Sequence, residues 1–241
     1  METIVADITN LKKAFGSNHV LKGIDLKIER GENLVVLGKS GSGKSVLIKC
    51  LVGLIEPDEG KVILFGKNVF ELNDEDLNAL RKKVGFLFQS AALYDSMSVR
   101  ENLEFPLRGL KLKQKELDER VASTLKSVGL EDAIDQMPCG LSGGMRKRVG
   151  LARTLMLNPE IILYDEPTTG LDPTTSKEIS RLILDVQKKY SAASIIITHD
   201  VECARITANR MMIIKDGTAY CEGTFEELET SKDEWVRSFF K

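Results

Sequence analysis

The eight residues GKSGSGKS, from Gly38 to Ser45, constrain this chain more than any other stretch. They follow a short apolar run, NLVVLG (33–38), which is typical of a strand buried on both faces. They precede SVLIKCLVGL (45–54), which indicates a buried helix. The spacing fits G-x-x-x-x-G-K-[ST], and this motif binds phosphate when it joins a strand to a helix. We therefore predict a phosphate-binding loop rather than an ordinary glycine turn.

The residue types in this loop suit a nucleoside triphosphate. Glycines let backbone N–H groups wrap the phosphates. Lys44 can reach the β- and γ-phosphates, and Ser45 can ligate Mg²⁺. The predicted nucleotide-binding residues of the loop are Gly38, Lys39, Ser40, Gly41, Ser42, Gly43, Lys44, Ser45 and Val46.

Polar side chains follow three other predicted strands. Asp165 and Glu166 end the run IILYDE, where Asp165 can hold Mg²⁺ through water and Glu166 can polarise an attacking water. His199 ends SIIITH and Gln89 ends VGFLFQ. Ligands bind at the carboxyl edge of such sheets, so His199 can donate to a γ-phosphate and Gln89 can contact Mg²⁺ or water. Taken alone, a histidine such as His199 is usually structural, and Gln89 is a weak signal.

A second anion-seeking segment is LSGGMRKRVGLARTL (141–155), a polar turn that runs into a basic helical pattern. Unpaired N–H groups and the helix dipole favour negative charge at such a helix start. The chain thus has two segments suited to binding phosphate, the loop Gly38–Ser45 and the turn that begins 141–155, and the presence of both requires an explanation.

Strand and helix patterns alternate along most of the chain, which predicts an α/β core with a substantially parallel sheet. The first thirty residues predict strands, and Asp216-Gly217 predicts a hairpin. Helices are predicted up to Val128, with Gly129 as C-cap, and after Asp172-Pro173. The region from about Ser90 to Asn158 is helix-patterned, which predicts an inserted helical subdomain.

Composition excludes some classes of protein. The chain has 241 residues, 42% of them hydrophobic, and a net charge of −2, so a uniformly basic nucleic-acid surface is not indicated. The start, METIVADITN, carries an acid and no long apolar run, so we expect no signal peptide. No window reaches about 18 uninterrupted apolar residues, so we expect no membrane span. The four scattered cysteines favour reduced thiols in a cytosolic protein.

Taken in order, these motifs resemble the ATPase subunit of ABC transporters, over essentially the whole chain. The matching motifs are Gly38–Ser45, Gln89, Leu141–Gly144, Ile161–Glu166, Leu171-Asp172 and His199. The resemblance implies an α/β P-loop NTPase fold of the ABC ATPase type, with a RecA-like core, an N-terminal antiparallel β subdomain and an inserted α-helical subdomain. It implies one domain over 1–241, with the core at 1–89 and 159–241 and the helical subdomain at about 90–158.

The resemblance also accounts for the second loop. In that family two subunits pair head to tail, so Ser142, Gly143 and Gly144 would close on the γ-phosphate of ATP bound by Lys44 of a second copy. Leu171-Asp172 would cross the interface between the two copies. ATP and Mg²⁺ are thus the implied cofactors, with Asp165, Ser45 and Gln89 at the metal and Glu166, Gln89 and His199 in catalysis.

A narrower resemblance rests on GKSVL, FQSAALYDSMSVRENLEFPL and LSGGMRKRVGLAR. These look like the ATPase of Mla-type systems, which move phospholipids with MCE-domain partners. This resemblance implies that the chain has an integral membrane permease as a partner and binds peripherally at the cytoplasmic face of the inner (plasma) membrane. The signature usually ends in Gln where this chain has Met145, and Val46 stands where a hydroxyl is common. Phe15 matches the aromatic that stacks on adenine, with strand packing as its alternative role.

Five apolar residues near Gln89 are predicted to form a groove for a cytoplasmic permease helix, or else to pack in the core. They are Leu93, Tyr94, Met97, Val99 and Phe105, of which Tyr94 and Met97 are expected to be partly exposed.

Soluble ABC ATPases of DNA repair or translation are the alternative class of function for this chain. DNA-repair types need long coiled coils and translation types carry two cassettes, and this sequence shows neither. Transport of another substrate, such as a peptide or an ion, is a further alternative.

Overall fold

Ten strands form two sheets in the computed structural model, which describes residues 4–241. The first three residues, which belong to the predicted core, lie outside the described residues. The strands are β1 Ile4–Phe15, β2 Asn18–Glu29, β3 Asn33–Gly38, β4 Glu59–Leu64, β5 Lys67–Asn68, β6 Val84–Leu87, β7 Ile161–Asp165, β8 Ala193–Ile197, β9 Arg210–Lys215 and β10 Thr218–Gly223. One sheet is antiparallel, in the order β2-β1-β4-β5, and the central sheet has the order β10-β9-β3-β8-β7-β6.

The central sheet is parallel except at its β9–β10 edge, as the alternating pattern predicts. Every residue of β3 and of β8 is buried, which explains why their sequences are apolar runs rather than alternations. Since the parallel strands run the same way, the ends of β3, β6, β7 and β8 meet at one edge of the sheet. The Asp216-Gly217 hairpin joins β9 to β10 as predicted, with φ of +52° and +84°.

The helices connect these strands. They are α1 Lys44–Leu51, α2 Asp74–Arg81, α3 Val99–Glu104, α4 Gln114–Val128, α5 Gly143–Leu155, α6 Pro173–Tyr190, α7 Val201–Thr207, α8 Phe225–Glu229 and α9 Glu234–Arg237. Gly129 ends α4 in the left-handed region, and the Asp172 side chain caps α6, both as predicted. The helix α1 stops at Leu51, three residues earlier than expected, and Gly53 then turns the chain at φ +68°.

The described chain between β6 and β7 contains α3, α4 and α5 and no strand, in agreement with its helical pattern. The boundaries of a helical subdomain at about 90 and 158 stay a prediction.

Two hydrophobic cores cover the two faces of the central sheet. Val35 and Leu37 face a core shared with α3 to α7, whereas Leu34 and Val36 face a core shared with α1 and the antiparallel sheet. This alternation follows from the two-residue period of a strand. The sheet is therefore buried on both faces, and its carboxyl edge is left for binding.

Of the five residues predicted to line a groove or pack in the core, two belong to the core. Leu93 is 8% exposed and Val99 is 0% exposed. A capping box at Ser98 starts α3 at Val99, whose N–H donates to the carbonyl of Gln136, so this residue is fixed inside the helical segment. Tyr94, at 42%, is exposed, as predicted.

Candidate nucleotide site

A cavity of about 670 Å³ opens at the carboxyl edge of the central sheet. It is lined by Val20, the loop Gly38–Val46, Gln89, Asp165, Glu166, His199 and Phe239. The structure thus brings together residues from Val20 to Phe239, and the motif residues among them meet because four parallel strands end here. Val20 and Phe239 were not predicted, since neither belongs to a motif.

The glycines of the loop are needed for its shape. Gly41 and Gly43 have φ of +78° and +101°, which other residues rarely adopt. A Cβ on Gly38 would lie 2.5 Å from Ser42 Oγ, and one on Gly43 would lie 2.8 Å from Leu21 Cδ2. Gly43 also supplies no side-chain cap to α1, so the first N–H groups of that helix are left for a ligand at the loop.

Lys44 is the buried cation of the cavity, with only 8% of its surface exposed. Its Nζ donates to the carbonyls of Gly38 and Lys39, at 2.7 Å and 3.1 Å. Burial lowers the pKa of Lys44, and the carboxylates of Glu166 and Asp165 act against that shift. An anion in the cavity would give this ammonium a charged partner in place of neutral carbonyls.

Ser45 and Asp165 form the oxygen-rich wall of the cavity. The Ser45 hydroxyl donates to Asp165 Oδ1 at 3.4 Å. Burial raises the pKa of Asp165, and the neighbouring Glu166 adds to the rise. A bound cation would stabilise the charged carboxylate of Asp165 against both burial and the neighbouring negative charge.

This donor set fits Mg²⁺, which is usually held by one or two carboxylates together with water and substrate phosphates. Ser45, Asp165 and Gln89 all line the same cavity and offer hydroxyl, carboxylate and amide oxygens. Among residues 4–241, no three His, Cys, Asp or Glu side chains form a ready-made metal site. The residues present therefore fit an ion shared with a bound phosphate.

Glu166 is held by five hydrogen bonds, one of which runs from the Thr169 backbone N–H to its carbonyl at 3.3 Å. His199 Nδ1 lies 2.8 Å from Glu166 Oε2, and Thr169 Oγ1 donates to the same oxygen at 3.1 Å. The backbone N–H of Glu166 donates to the Ile197 carbonyl at 2.8 Å, and its own carbonyl accepts from Lys147 Nζ at 3.1 Å. Glu166 adopts φ +51°, a strained value for a residue with a side chain. Its carboxylate is thereby fixed beside the imidazole at the cavity.

The LSGG turn lies apart from this cavity. Ser142 caps α5 by accepting from the Met145 N–H at 3.3 Å. A Cβ on Gly143 would lie 3.3 Å from Leu171, and one on Gly144 would lie 2.6 Å from Thr175. The turn packs on the start of α6 in its own chain, and its three residues do not line the cavity around the phosphate loop.

Phe15 stands at the end of β1, is 49% exposed and does not line the cavity. Lys13 Nζ lies 5.6 Å from the centre of its ring. An exposed aromatic face is available there, and its role in stacking on a base stays a prediction.

The ABC transporter family model matches residues 21–169 of the chain. The probable ribonucleotide transport ATP-binding protein mkl of Mycobacterium leprae is 40% identical over 237 residues, which cover 98% of this chain and 68% of that protein. Protein TRIGALACTOSYLDIACYLGLYCEROL 3 of Arabidopsis thaliana, a chloroplastic protein, is 38% identical and covers 98% of this chain and 73% of its own length. A dimeric structure of the ATP-binding cassette MJ0796, bound to ADP and Pi, superposes with a TM-score of 0.82 at 33% identity, covering 91% of this chain and 98% of that chain.

Fold and site together define a P-loop ATPase of the ATP-binding-cassette type. The chain belongs to the ABC transporter family and is an ATP-binding subunit of such a transporter. Within residues 4–241, no helix is both long enough and apolar enough to cross a bilayer.

Proposed function

We propose that this ATPase powers phospholipid movement by a membrane permease that works with an MCE-domain protein. The observation that carries the proposal is the segment 88–107, whose sequence resembles the Mla-type ATPases and in which Phe88 and Tyr94 are exposed. A relative whose name contains that of a galactolipid supports a lipid cargo. The subunit would bind peripherally at the cytoplasmic face of the inner membrane.

In the proposed reaction, backbone N–H groups of the loop and the Lys44 ammonium bind the phosphates of ATP. Ser45, Asp165 and Gln89 would hold Mg²⁺, which offsets phosphate charge when bound. Glu166 orients and polarises the attacking water, since its carboxylate is fixed at the cavity by His199. The imidazole of His199 also reaches the cavity, and an imidazolium, which carries a proton on both nitrogens, can donate to Glu166 from Nδ1 and to the γ-phosphate from Nε2.

A second copy of the chain would complete each site. Ser142, Gly143 and Gly144 do not line the cavity of their own chain, although they present a helix N-terminus suited to an anion. The dimeric MJ0796 cassette, bound to ADP and Pi, supports pairing of two copies, and the proposed pair is head to tail so that this turn closes on the partner's ATP. The adjacent Leu171-Asp172 would then lie in the interface.

The proposed permease contact is an aromatic patch, defined here as Tyr94, Met97 and Phe105. The rings of Tyr94 and Phe105 are 4.5 Å apart, and Arg108 lies 4.9 Å from the Phe105 ring. Buried Asn102 supports the patch, since its side-chain amide donates to the backbone carbonyls of Tyr94 and Met97 at 3.1 Å and 3.0 Å. The patch is thus held by backbone bonds while its side chains remain available to a partner.

A different cargo is the second candidate. The mycobacterial relative is named for ribonucleotide transport, and the nucleotide site would be the same for either cargo. Only the permease and its bound molecules distinguish the two.

We expect the double substitution Tyr94→Asp and Met97→Asp to uncouple the transporter. Two charges on an apolar patch cost free energy on docking unless they are paired, so binding to the permease should weaken at least about tenfold. The Asn102 bonds use backbone atoms, so the variant should fold and the isolated subunit should keep its ATPase rate. Both can be measured, by co-purification with the permease and by phosphate release.

The control is Ile4→Asp, which places a charge at a similarly exposed apolar residue on the antiparallel sheet. It should leave docking unchanged. A double variant that folds and docks like the wild type would remove the permease role of the patch. A wild-type complex that hydrolyses ATP in vesicles but moves no phospholipid would remove the lipid assignment and leave the ATPase assignment intact.

A further inference from the structure

Lys147 reaches from α5 to two backbone carbonyls at the nucleotide cavity. It is only 6% exposed, and its Nζ donates to the carbonyl of Gln89 at 2.6 Å and to that of Glu166 at 3.1 Å. We infer that Lys147 is a positioning residue for hydrolysis, which fixes the Glu166 peptide and ties the helix that begins at the LSGG turn to the site of its own chain. This inference rests on the proposed role of Glu166.

The close approach of α5 to the end of β6 is built into the helix sequence. Gly150 lies three residues after Lys147 on the same face, and a Cβ there would be 2.9 Å from both Leu87 Cδ1 and Ala91 Cβ. Thr154 continues this face, and its Oγ1 lies 2.9 Å from the Gly150 carbonyl oxygen and 3.3 Å from that of Phe86. The glycine lets the helix lie close enough for the Lys147 side chain to reach Gln89.

A second cation on α5 holds the same segment further along. Arg153 donates to the carbonyls of Ala91 and Ala92, at 3.0 Å and 2.8 Å. Those alanines have φ of +60° and +46°, which alanine disfavours. The segment after β6 is therefore fixed by α5 at both Gln89 and Ala91-Ala92, so helix and segment form one unit.

The bond to Glu166 bears directly on the reacting group. Glu166 has a left-handed φ of +51°, and the Lys147 bond gives its carbonyl a donor in a half-buried position. The same carbonyl also accepts from the Thr169 backbone N–H at 3.3 Å, so loss of Lys147 leaves it one longer bond and allows the peptide after Glu166 to move toward a less strained conformation. Such a movement would displace the carboxylate from His199 and from the cavity. Because the same helix begins at Ser142, the partner's ATP is coupled through Lys147 to this chain's own Glu166.

The test is Lys147→Met, which keeps the aliphatic bulk and removes the donor. We expect kcat for ATP hydrolysis by the purified full chain to fall at least about tenfold, because a displacement of about 1 Å at a reacting group can cost up to about 100-fold. ATP affinity, measured by calorimetry, should stay within about twofold, since Lys147 does not line the cavity.

Arg120→Met is the matched control. Arg120 donates to the Met156 carbonyl at the other end of α5, at 3.2 Å, so this variant also removes one cation–carbonyl bond to that helix. Its kcat should stay within about twofold of the wild type. A loss of kcat shared equally by both variants would mean that Lys147 acts only on stability and would overturn the inference. A Lys147→Met variant with wild-type kcat, or with a kcat loss matched by weaker ATP binding, would overturn it too.

If the Lys147→Met variant does not fold, Lys147→Gln tests the positioning role of Lys147 instead. Its amide keeps two donors on a chain one bond shorter, so we expect kcat between the wild-type and Met values, at least about threefold below wild type, with unchanged ATP affinity. Wild-type turnover by this variant would overturn the inference.

Glu166→Gln distinguishes a failure of the proposed role of Glu166 from a failure of the inference on Lys147. Full turnover by that variant removes the proposed role of Glu166, whereas an inactive Glu166→Gln beside a fully active Lys147→Met removes only the inference on Lys147.

Discussion

Replacing Glu166 by glutamine should lower the ATP turnover of the chain by about 10²- to 10⁴-fold, the usual contribution of a general base. An amide keeps the size of the side chain and its contact with Thr169, but it cannot accept the proton of the attacking water. ATP binding should remain within about threefold of wild type, because the phosphates are held by the loop and by Lys44. Phosphate release and calorimetry measure the two quantities separately.

Glu178→Gln is the control for this substitution. Glu178 is an exposed glutamate that pairs with Arg148 at 2.9 Å and does not line the nucleotide cavity. Its turnover should match that of the wild type within about twofold, as is normal for exposed ion pairs. A Glu166→Gln variant whose turnover stays within about threefold of wild type would show that another group activates the water.

Lys44→Ala should weaken ATP binding by at least about 100-fold, which corresponds to about 2.7 kcal/mol. Lys44 is the buried cation of the loop, and its ammonium donates to the Gly38 and Lys39 carbonyls. Charge-assisted bonds from this group to phosphate oxygens are lost in the variant. Calorimetric titration with ATP and Mg²⁺ gives the affinity.

Lys115→Ala removes the same charge from a residue on α4 whose side chain is 90% exposed, so it controls for net charge. It should bind ATP like the wild type. Near-normal ATP affinity in the Lys44→Ala variant would contradict the phosphate-loop assignment and everything that depends on it.

The central features of the site could be predicted because they are local in sequence or follow from the sheet. The loop Gly38–Ser45 lies in one continuous motif between β3 and α1. Asp165, His199 and Gln89 end or follow predicted strands, and parallel strands bring such ends to one edge. The structure adds the contact of 2.8 Å between His199 and Glu166, which no motif gives.

Other features depend on packing between distant elements and left no signal in the sequence. Lys147 sits inside a run of basic residues, and only the close approach of α5 at Gly150 turns it inward. Phe239 reaches the cavity from beyond α9, at the far end of the chain from the loop. Leu93 and Val99 resemble Tyr94 in hydrophobicity, so pattern alone could not separate core from surface in this irregular segment.

The claim that two chains complete each ATP site is tested most directly by sedimentation of two variants with saturating ATP. Glu166→Gln should sediment as a dimer, because ATP is bound and not hydrolysed. Glu166→Gln combined with Ser142→Arg should remain a monomer while binding ATP equally well, since the arginine projects from the LSGG turn into the partner's site. Ser123→Arg, an exposed serine on α4, placed in the same background should still dimerise. If the Ser142→Arg combination dimerises with ATP as fully as Glu166→Gln alone, the LSGG turn does not close on a partner's nucleotide and the account is contradicted.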